Sequence, residues 1–548
     1  MYTQWKIEND YVVFSCGCKF KVKQVREGHF PLIYPGNPYK DWNYECEATK
    51  ALLADGNTIG VFQLESNLGR HWTKRLKPET TEHMSALTAI LRPGCLENKS
   101  EKGISTTELY CRYKNHEEVA TPEISILGPI LQKTYYQMLY QEDSMRIAVE
   151  IAGFTGDEAD SLRKGIGKKL PEVIAKLRNV FIEGCKKVGK VTEEEAVRIF
   201  DSIEKSQRYS FNLSHSLVYG LTAQITAFAK VHFPDYFYQS YLEGAMDKQD
   251  PLEERKKLIE DAKFFNIKVT KPELSVSKKW FFSPKEKTIL FGLNSVKYVG
   301  EKTINKVREY CENKKEKWLN VLVKCLYHID SRAAVSIIKA GIIDNGMTRK
   351  KQLHELNCLY QITAGGQIKF IIEHCDNYDN LKDLLTAMNK TKKEGGGLHT
   401  EKDIPKINGI IYTLDNPGYS LEDSPSWISS VEQEVLGIAL SANLLDGAQK
   451  IASNTTCKEL LCGKDDSDMV LGVELTKVEE REIKTGKNKG KPYLKIDFCD
   501  KTGIINGVMV WPEIHSKYGY LLKERNTVCI SVHRNNKNDI TIDSVYQI

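Results

Sequence analysis

The sequence predicts a multidomain chain, mainly α-helical over its long central part and all-β at its C-terminal end. Two observations predict this: apolar residues recur at helical spacing between about residues 51 and 360, and after residue 468 the pattern changes to short strands separated by turns. The length of 548 residues suggests about three or four domains at roughly 150 residues each. Hydrophobic content of 41% and charged content of 28% suit ordinary packed cores.

Residues 1–50 read as a β-containing segment with strands at Tyr11–Phe14 and Cys18–Val25, followed by the turn-rich Tyr34-Pro-Gly-Asn-Pro-Tyr-Lys-Asp41. Residues 51–245 are mainly helical. Gly128–Ile151 has helical spacing, Glu193–Lys205 follows Thr192 as an N-cap, and Leu217–His232 is an apolar helix stopped by Pro234, with Ser214 as its natural cap. Residues 246–360 combine a charged helix, Pro251–Phe265, with a strand at Thr288–Gly292 and further helix. Residues 361–468 show weak periodicity and the loop Lys392-Lys-Glu-Gly-Gly-Gly397, and read as a connector. In residues 469–548, Met469–Val478, Lys491–Asp497, Gly503–Val510 and Thr527–His533 read as strands and Pro512–Leu522 as a helix, which suits an OB-type barrel.

The 78 Lys+Arg and 73 Asp+Glu nearly cancel, so only local clustering bears on nucleic acid. The first twenty residues lack a basic then apolar leader pattern, and no stretch approaches the ~18 apolar residues that span a bilayer. A cytoplasmic protein without membrane contact is expected. The fourteen cysteines are expected to be reduced. Cys16 and Cys18 form the closest pair. Their spacing is not the x2–4 usual for zinc ligands and the next cysteine is Cys46, so they read as small residues near a strand end and no metal site is assigned.

The chemistry-bearing blocks are five. Val61-Phe-Gln-Leu-Glu-Ser66 and Leu91-Arg-Pro-Gly-Cys95 are ordinary turns if taken alone, and Tyr140-Gln-Glu-Asp143 is an ordinary polar helix segment. Leu162-Arg-Lys-Gly-Ile-Gly-Lys-Lys169 sets four cations around two glycines. Lys164 and Lys168 would share a helix face, and Gly165 and Gly167 would let a ligand come close to the backbone. From Arg163 to Lys190 there are nine Lys/Arg against two Asp/Glu. Such a run is either a solvated face or a site for phosphate. Arg208-Tyr-Ser-Phe-Asn-Leu-Ser-His215 offers an aromatic face and hydrogen-bonding groups on a tight turn, suited to helix capping or to a base or phosphate.

In this order, Phe62–Ser66, Arg92–Gly94, Tyr140–Glu142, Leu162–Lys169 and Tyr209–His215 resemble the fingers-region signatures of the bacterial DNA polymerase III alpha subunit, a C-family replicative polymerase. The resemblance covers about residues 50–548. It continues through Lys297-Tyr-Val-Gly-Glu-Lys302, where that family has a helix-hairpin-helix element, and Glu432-Gln-Glu-Val-Leu-Gly437, to Pro492–Pro512 in the barrel. Residues 51–245 would then be fingers and residues 246–360 a DNA-binding helical region. The resemblance implies that Arg163, Lys164, Lys168 and Lys169 contact nucleotide phosphates, and that Tyr209, Asn212 and His215 line the nucleotide pocket. It also implies that Arg92, Gln141, Gly300 and Lys302 serve the DNA path. The spelling Ser206-Gln-Arg-Tyr209 resembles a bacteriophage branch, which would place the chain in the cytoplasm of an infected bacterium.

Three positions depart from the family pattern: Cys95 stands for Pro, Leu213 for Lys, and Tyr298 for the first glycine of the hairpin turn. A glycine at positive φ is hard to replace with Tyr, which sets the duplex-binding role of that turn against the pattern. The family's palm, with its Pro-Asp-x-Asp-type motif, is absent from these residues. No catalytic residue is therefore assigned. Asp465-Asp-Ser-Asp468 reads as a solvated turn, while Asp497 and Asp500 belong to the barrel pattern.

The expectation is a fingers-and-tail subunit of a split DNA polymerase. It would act on dNTPs and primer-template DNA, beside a palm-containing subunit that supplies the carboxylates and Mg2+. The alternative is a non-catalytic remnant that binds DNA or a sliding clamp. Gln367-Ile-Lys-Phe-Ile371 is the nearest approach to a clamp-binding peptide, and reads better as a core strand.

Overall fold

The computed structural model describes residues 4–24, 32–34, 36–97, 99, 103–167, 170–207, 210–274, 281–285, 287–311, 316–391, 403–442, 453–461, 463, 469–483, 488–500, 502–524, 526–535 and 539–547. Lys168, Lys169, Tyr209, the loop after Lys392 and the cluster Asp465–Asp468 lie outside them. The chain divides into two compact units, Met1–Pro234 and Asp235–Ile548.

The first unit opens with an antiparallel sheet of Trp5–Glu8, Tyr11–Phe14, Lys19–Gln24 and Leu32–Ile33 in sequence order. Asn9 and Asp10, both at positive φ, make the first hairpin turn, and Gly17 at φ +88° makes the second. A sheet this small is marginal alone. It is held by the edge-on packing of Phe14 and Phe20 against Phe228, His232 and Phe233, so residues 1–50 share a core with the helices that follow.

Helices Gln141–Ala152, Gly156–Gly167, Pro171–Val188 and Glu193–Gln207 enclose one apolar core centred on Ile147, Leu162, Phe181 and Phe200. Thr192 caps the last of these reciprocally: its hydroxyl accepts from Glu195 N at 3.2 Å while the Glu195 carboxylate accepts from Thr192 N at 2.8 Å. Gly128–Ile151 is not one helix. After Leu131 the chain tightens and passes through Tyr135 and Tyr136 at positive φ before the helix restarts at Gln141.

Leu213–His232, of 20 residues, packs on helix Thr81–Ile90, which is buried from Met84 to Ile90. Gly220 permits the contact, because a Cβ there would lie 2.7 Å from the Ser85 nitrogen. The cap of Leu213–His232 is Asn212, not Ser214 as expected: the Asn212 Oδ1 accepts from His215 N at 2.9 Å, two residues earlier in the chain. The helix ends at Pro234 as expected.

In the second unit, helix Pro251–Phe264 leads into a sheet ordered Lys268–Thr270, Thr288–Leu290, Phe282–Lys285. Glu301–Cys311, Ser331–Lys339 and Arg349–Tyr360 follow. Residues 361–468, read as a connector, hold Gly365–His374, Leu381–Lys390, Asp403–Asp415 and Pro425–Leu436. Gln367–Ile371 is therefore helical, not a strand, and Gln367, Phe370 and Ile371 are buried. Gly365–His374 and Asp403–Asp415 bury short, interrupted apolar faces, whereas Leu381–Lys390 buries the regular set Leu381, Leu384, Leu385 and Met388.

The last residues form a closed five-stranded barrel in the order Ile504–Val510, Ile540–Gln547, Thr527–Arg534, Met469–Glu482, Pro492–Cys499. The first and second of these pair in parallel and the others antiparallel. Helix Pro512–Tyr518 lies between the third and fourth strands of the sequence, which completes the OB-type arrangement. Alternating residues such as Leu471, Val473, Ile496, Phe498 and Ile530 fill the interior. Asp497 and Asp500 are structural: Asp497 accepts from Gly507 N at 2.6 Å, and Asp500 from Thr502 N at 2.7 Å and Gly503 N at 3.0 Å.

Candidate nucleotide and nucleic-acid site

The blocks singled out in the first unit converge. A backbone bridge joins Tyr140 to Phe211: Gln141 N donates to the Phe211 carbonyl at 2.9 Å, and Phe211 N donates to that of Leu139 at 3.0 Å. This sets the start of Gln141–Ala152 beside the start of Leu213–His232. Glu142 fastens the junction, accepting from Asn212 Nδ2 at 2.8 Å and Leu213 N at 2.9 Å. Asp143 is buried under it, accepting from Tyr140 N at 2.9 Å and Leu139 N at 3.1 Å, and burial pushes its carboxyl up to about 6.

Arg163 reaches the same place from Gly156–Gly167. Its guanidinium donates to Gln141 Oε1 at 3.3 Å and is fixed by two bonds to Asp160 Oδ1, at 2.9 and 2.8 Å. Lys164 Nζ lies 2.6 Å from the other Asp160 oxygen with its side chain 64% exposed, so it is free to turn to solvent. The two cations hold the Asp160 carboxyl below the usual range, Lys164 first and Arg163 next. Gly165 does not open the backbone to a ligand. A Cβ there would meet Leu177 Cδ1 at 2.5 Å, so its small size serves helix packing, whereas Gly167 has open space around it. The charge run that follows is partly offset, since Arg178 pairs with Asp201 and Lys186 with Glu183 and Glu193.

Around Asn212 the aromatic groups form a shelf. The His215 ring lies 3.9 Å from that of Tyr219 and meets Phe211 edge-on at 5.2 Å. The Arg92 guanidinium sits 4.1 Å over Phe211, and Phe62 reaches Tyr219 at 5.1 Å. Asn212, His215 and Arg92 are exposed. Phe62, Phe211 and Tyr219 belong to this shelf and were not assigned from the sequence; their positions in or one turn beyond the quoted blocks were the only signal. Cys95 is buried, its thiol pushed up to about 12 by burial, so it fills the core beneath Arg92 and Gly94.

In the second unit Tyr298 does take φ +65°, the conformation expected to need glycine, and Gly300 is not at positive φ. Arg332 and Lys297 lie over the Tyr298 ring at 5.1 and 5.2 Å. Gly300 and Lys302 are exposed at the start of Glu301–Cys311. The residues expected on a DNA path are thus divided: Arg92 and Gln141 stand at this convergence, Gly300 and Lys302 in the other unit. On the barrel, the Tyr493 and Trp511 rings stack at 5.8 Å with Trp511 45% exposed.

Among the described residues no cluster of carboxylates suits Mg2+. Among the described residues, the one group of three or more His, Cys, Asp or Glu side chains able to share an ion is Cys16, Cys18, Cys46 and His232, a sulfur and imidazole set. Spacing could not reveal it, because 186 residues separate Cys46 from His232.

Residues 37–189 match the family described as "Bacterial DNA polymerase III alpha subunit finger domain", and residues 266–353 match "Helix-hairpin-helix motif". A DNA polymerase III subunit alpha from Aquifex aeolicus is 30% identical over 487 residues, covering 87% of this chain and 36% of that protein. Those of Pseudomonas aeruginosa and Haemophilus influenzae are 34% and 36% identical over 330 and 284 residues, covering 59% and 51% of this chain and 27% and 23% of theirs. The chain spans well under half the length of these relatives. It is related to the DNA polymerase III alpha subunits over most of its length, through their fingers and helix-hairpin-helix regions.

Proposed function

We propose that this chain is the fingers-and-tail subunit of a split DNA-directed DNA polymerase. It would bind the incoming dNTP and primer-template DNA, while a palm-containing partner supplies the carboxylates that hold Mg2+. The convergence of Arg163, Gln141, Asn212, His215 and Arg92 on one surface is the observation that carries this reading.

Each group has work to do there. Asp160 holds the Arg163 fork in place before a triphosphate arrives, and Lys164 can exchange its ion pair for phosphate. Lys168 and Lys169 extend the same cationic stretch. The His215–Tyr219 shelf offers a face for stacking a base, and Tyr209 is assigned to the same nucleotide site from its place in the sequence block alone. Arg92 and Gln141 would hold the fingers against the DNA. Gly300 and Lys302 present a helix N-terminus and a cation to a phosphate, and Tyr493 with Trp511 offers a stacking platform for single-stranded DNA.

A second reading, a non-catalytic DNA-binding remnant, is favoured by the engagement of Asn212 and Arg163 with Glu142 and Asp160. Binding to a sliding clamp through Gln367–Ile371 has less support, because that segment is buried in a helix.

Titration of the full chain separates the two. The polymerase reading expects dNTP binding in the presence of primer-template, weakened about tenfold or more by Arg163→Ala through loss of a charge-assisted pair, with single-stranded DNA binding unchanged. DNA binding with no dNTP response supports the remnant instead. A cytoplasmic setting, including that of a phage-infected bacterium, is part of the proposal. Among the described residues no helix is long and apolar enough to cross a membrane.

A further inference from the structure

We propose that Cys16, Cys18, Cys46 and His232 bind one zinc ion as a closed structural site, fastening the N-terminal sheet to the C-terminal end of helix Leu213–His232. Three distant segments bring these side chains together. Cys16 and Cys18 flank Gly17 in the turn between Tyr11–Phe14 and Lys19–Gln24. Cys46 is the N-cap residue of Glu47–Ala54, and His232 ends its own helix. Three sulfurs and one ring nitrogen lie within 4.8 Å of one another. Tetrahedral zinc with Zn–S of about 2.3 Å and Zn–N of about 2.0 Å needs ligand atoms roughly 3.5–3.8 Å apart, so small side-chain shifts suffice.

The histidine is oriented for this role. Its Nδ1 lies 3.0 Å from the Phe228 carbonyl, which fixes the proton on that nitrogen and turns Nε2 toward the sulfurs, 3.2 Å from Cys16 and 3.8 Å from Cys46. Phe228 stacks on the His232 ring at 3.9 Å and Phe14 meets it edge-on at 4.9 Å, so the surroundings are dry. Thr49 Oγ1 lies 3.2 Å from the Cys46 sulfur, as a supporting partner of a ligand.

The chemistry of the set favours zinc over the alternatives. Thiolate and imidazole are its structural ligands, and hard cations such as Mg2+ prefer oxygen. A nucleophilic Cys–His pair needs access to substrate, and Cys46 and His232 are 3% and 1% exposed. Four protein ligands leave no open position for catalysis. The 20-residue helix also sets His232 about 30 Å from Asn212. The ion would therefore brace the far end of the helix whose start carries the pocket.

Metal content of the full chain, purified under reducing conditions and reconstituted with Zn2+, tests this. About one zinc per chain is expected. The apoprotein refilled with Co2+ alone should show the visible bands of a tetrahedral thiolate site. Cys46→Ser and His232→Ala should lose stoichiometric metal. Because these buried changes can unfold the protein, Cys16→Ser at the half-exposed ligand is the second variant. It should keep the fold, give up zinc to a chelator at least tenfold more readily, and lose about a third of the sulfur-to-cobalt charge-transfer intensity as three thiolates become two. Cys529→Ser, on the barrel, should change nothing. Less than a tenth of an equivalent of zinc in the reconstituted full chain would overturn the proposal. So would Cys16→Ser and Cys46→Ser variants that hold zinc like the parent, or a disulfide among the three cysteines under the reducing conditions.

Discussion

Lys230 shows how single residues fix the framework around Phe62 and helix Leu213–His232. It is fully buried, and its Nζ donates to the carbonyls of Asn57 at 2.9 Å and Ile59 at 2.7 Å. It thereby ties the loop before Phe62 to helix Leu213–His232, with help from Phe62 N donating to Thr226 Oγ1 at 3.1 Å. Lys230→Met removes that donor from two carbonyls, and we expect a loss of about 2–4 kcal/mol in urea unfolding. A change under about 0.5 kcal/mol, the size of an ordinary surface substitution, would show that the tie is unimportant. Tyr298 teaches a different lesson. A left-handed non-glycine residue costs roughly 1–2 kcal/mol. Cation–π contacts at exposed sites return about 0.5–1 kcal/mol each, and Tyr298 has two. Position 298 thus does take the left-handed conformation that favours glycine, and a tyrosine held by two cations occupies it.

At the scale of elements, close approach decides the geometry. Gly220→Ala would set a Cβ 2.7 Å from the Ser85 nitrogen and 2.9 Å from the Met84 carbonyl carbon, both main-chain atoms of a buried helix that cannot yield locally. Overpacking of this kind should cost about 2–3 kcal/mol and weaken dNTP binding through displacement of Asn212 and His215. Thermal and denaturant unfolding of the variant, with dNTP titration, checks both; unchanged stability would deny the contact.

Helix Pro251–Phe264 supplies a pH test. Glu260 on it is buried, and burial raises its carboxyl to about 7, opposed by Lys256 and Lys263 and reinforced by Glu253 and Glu474. The folded pKa lies above the unfolded one, so the stabilisation from a protonated Glu260 is complete below about 4.5 and lost as pH rises through about 7. Glu260→Gln should thus gain stability over the parent between pH 5 and pH 8, by on the order of 1–3 kcal/mol at the upper end. A difference between the two proteins that does not vary with pH would show that Glu260 titrates normally.

At the scale of the molecule, the barrel strands and long helices were legible because their apolar periods are strong: Met469–Glu482 and Glu193–Gln207 follow pattern and cap. Two things were not. Helices Gly365–His374 and Asp403–Asp415 bury short faces, so their period was lost in the local composition, and the regular face of Leu381–Lys390 is only ten residues long beside the glycine-rich loop. The Cys16–Cys18–Cys46–His232 cluster is made by tertiary packing, and no spacing rule spans it. Where the blocks converge, the ordered motifs pointed to Arg163, Asn212 and His215, but not to the carboxylates Asp160 and Glu142 that hold two of them. A short acidic side chain three residues before an arginine reads as an ordinary helix pair until the fold shows what else the arginine touches.

The central claim is that this chain holds nucleotide and template while the metal-binding carboxylates come from elsewhere. Primer extension measures it most directly, using the chain alone and mixed with a palm-bearing polypeptide from the same source. The account predicts no extension by the chain alone, Mg2+-dependent extension in the mixture, and loss of about tenfold or more on Arg163→Ala. Extension by the chain alone, or mixture activity that survives Arg163→Ala together with His215→Ala, would contradict it.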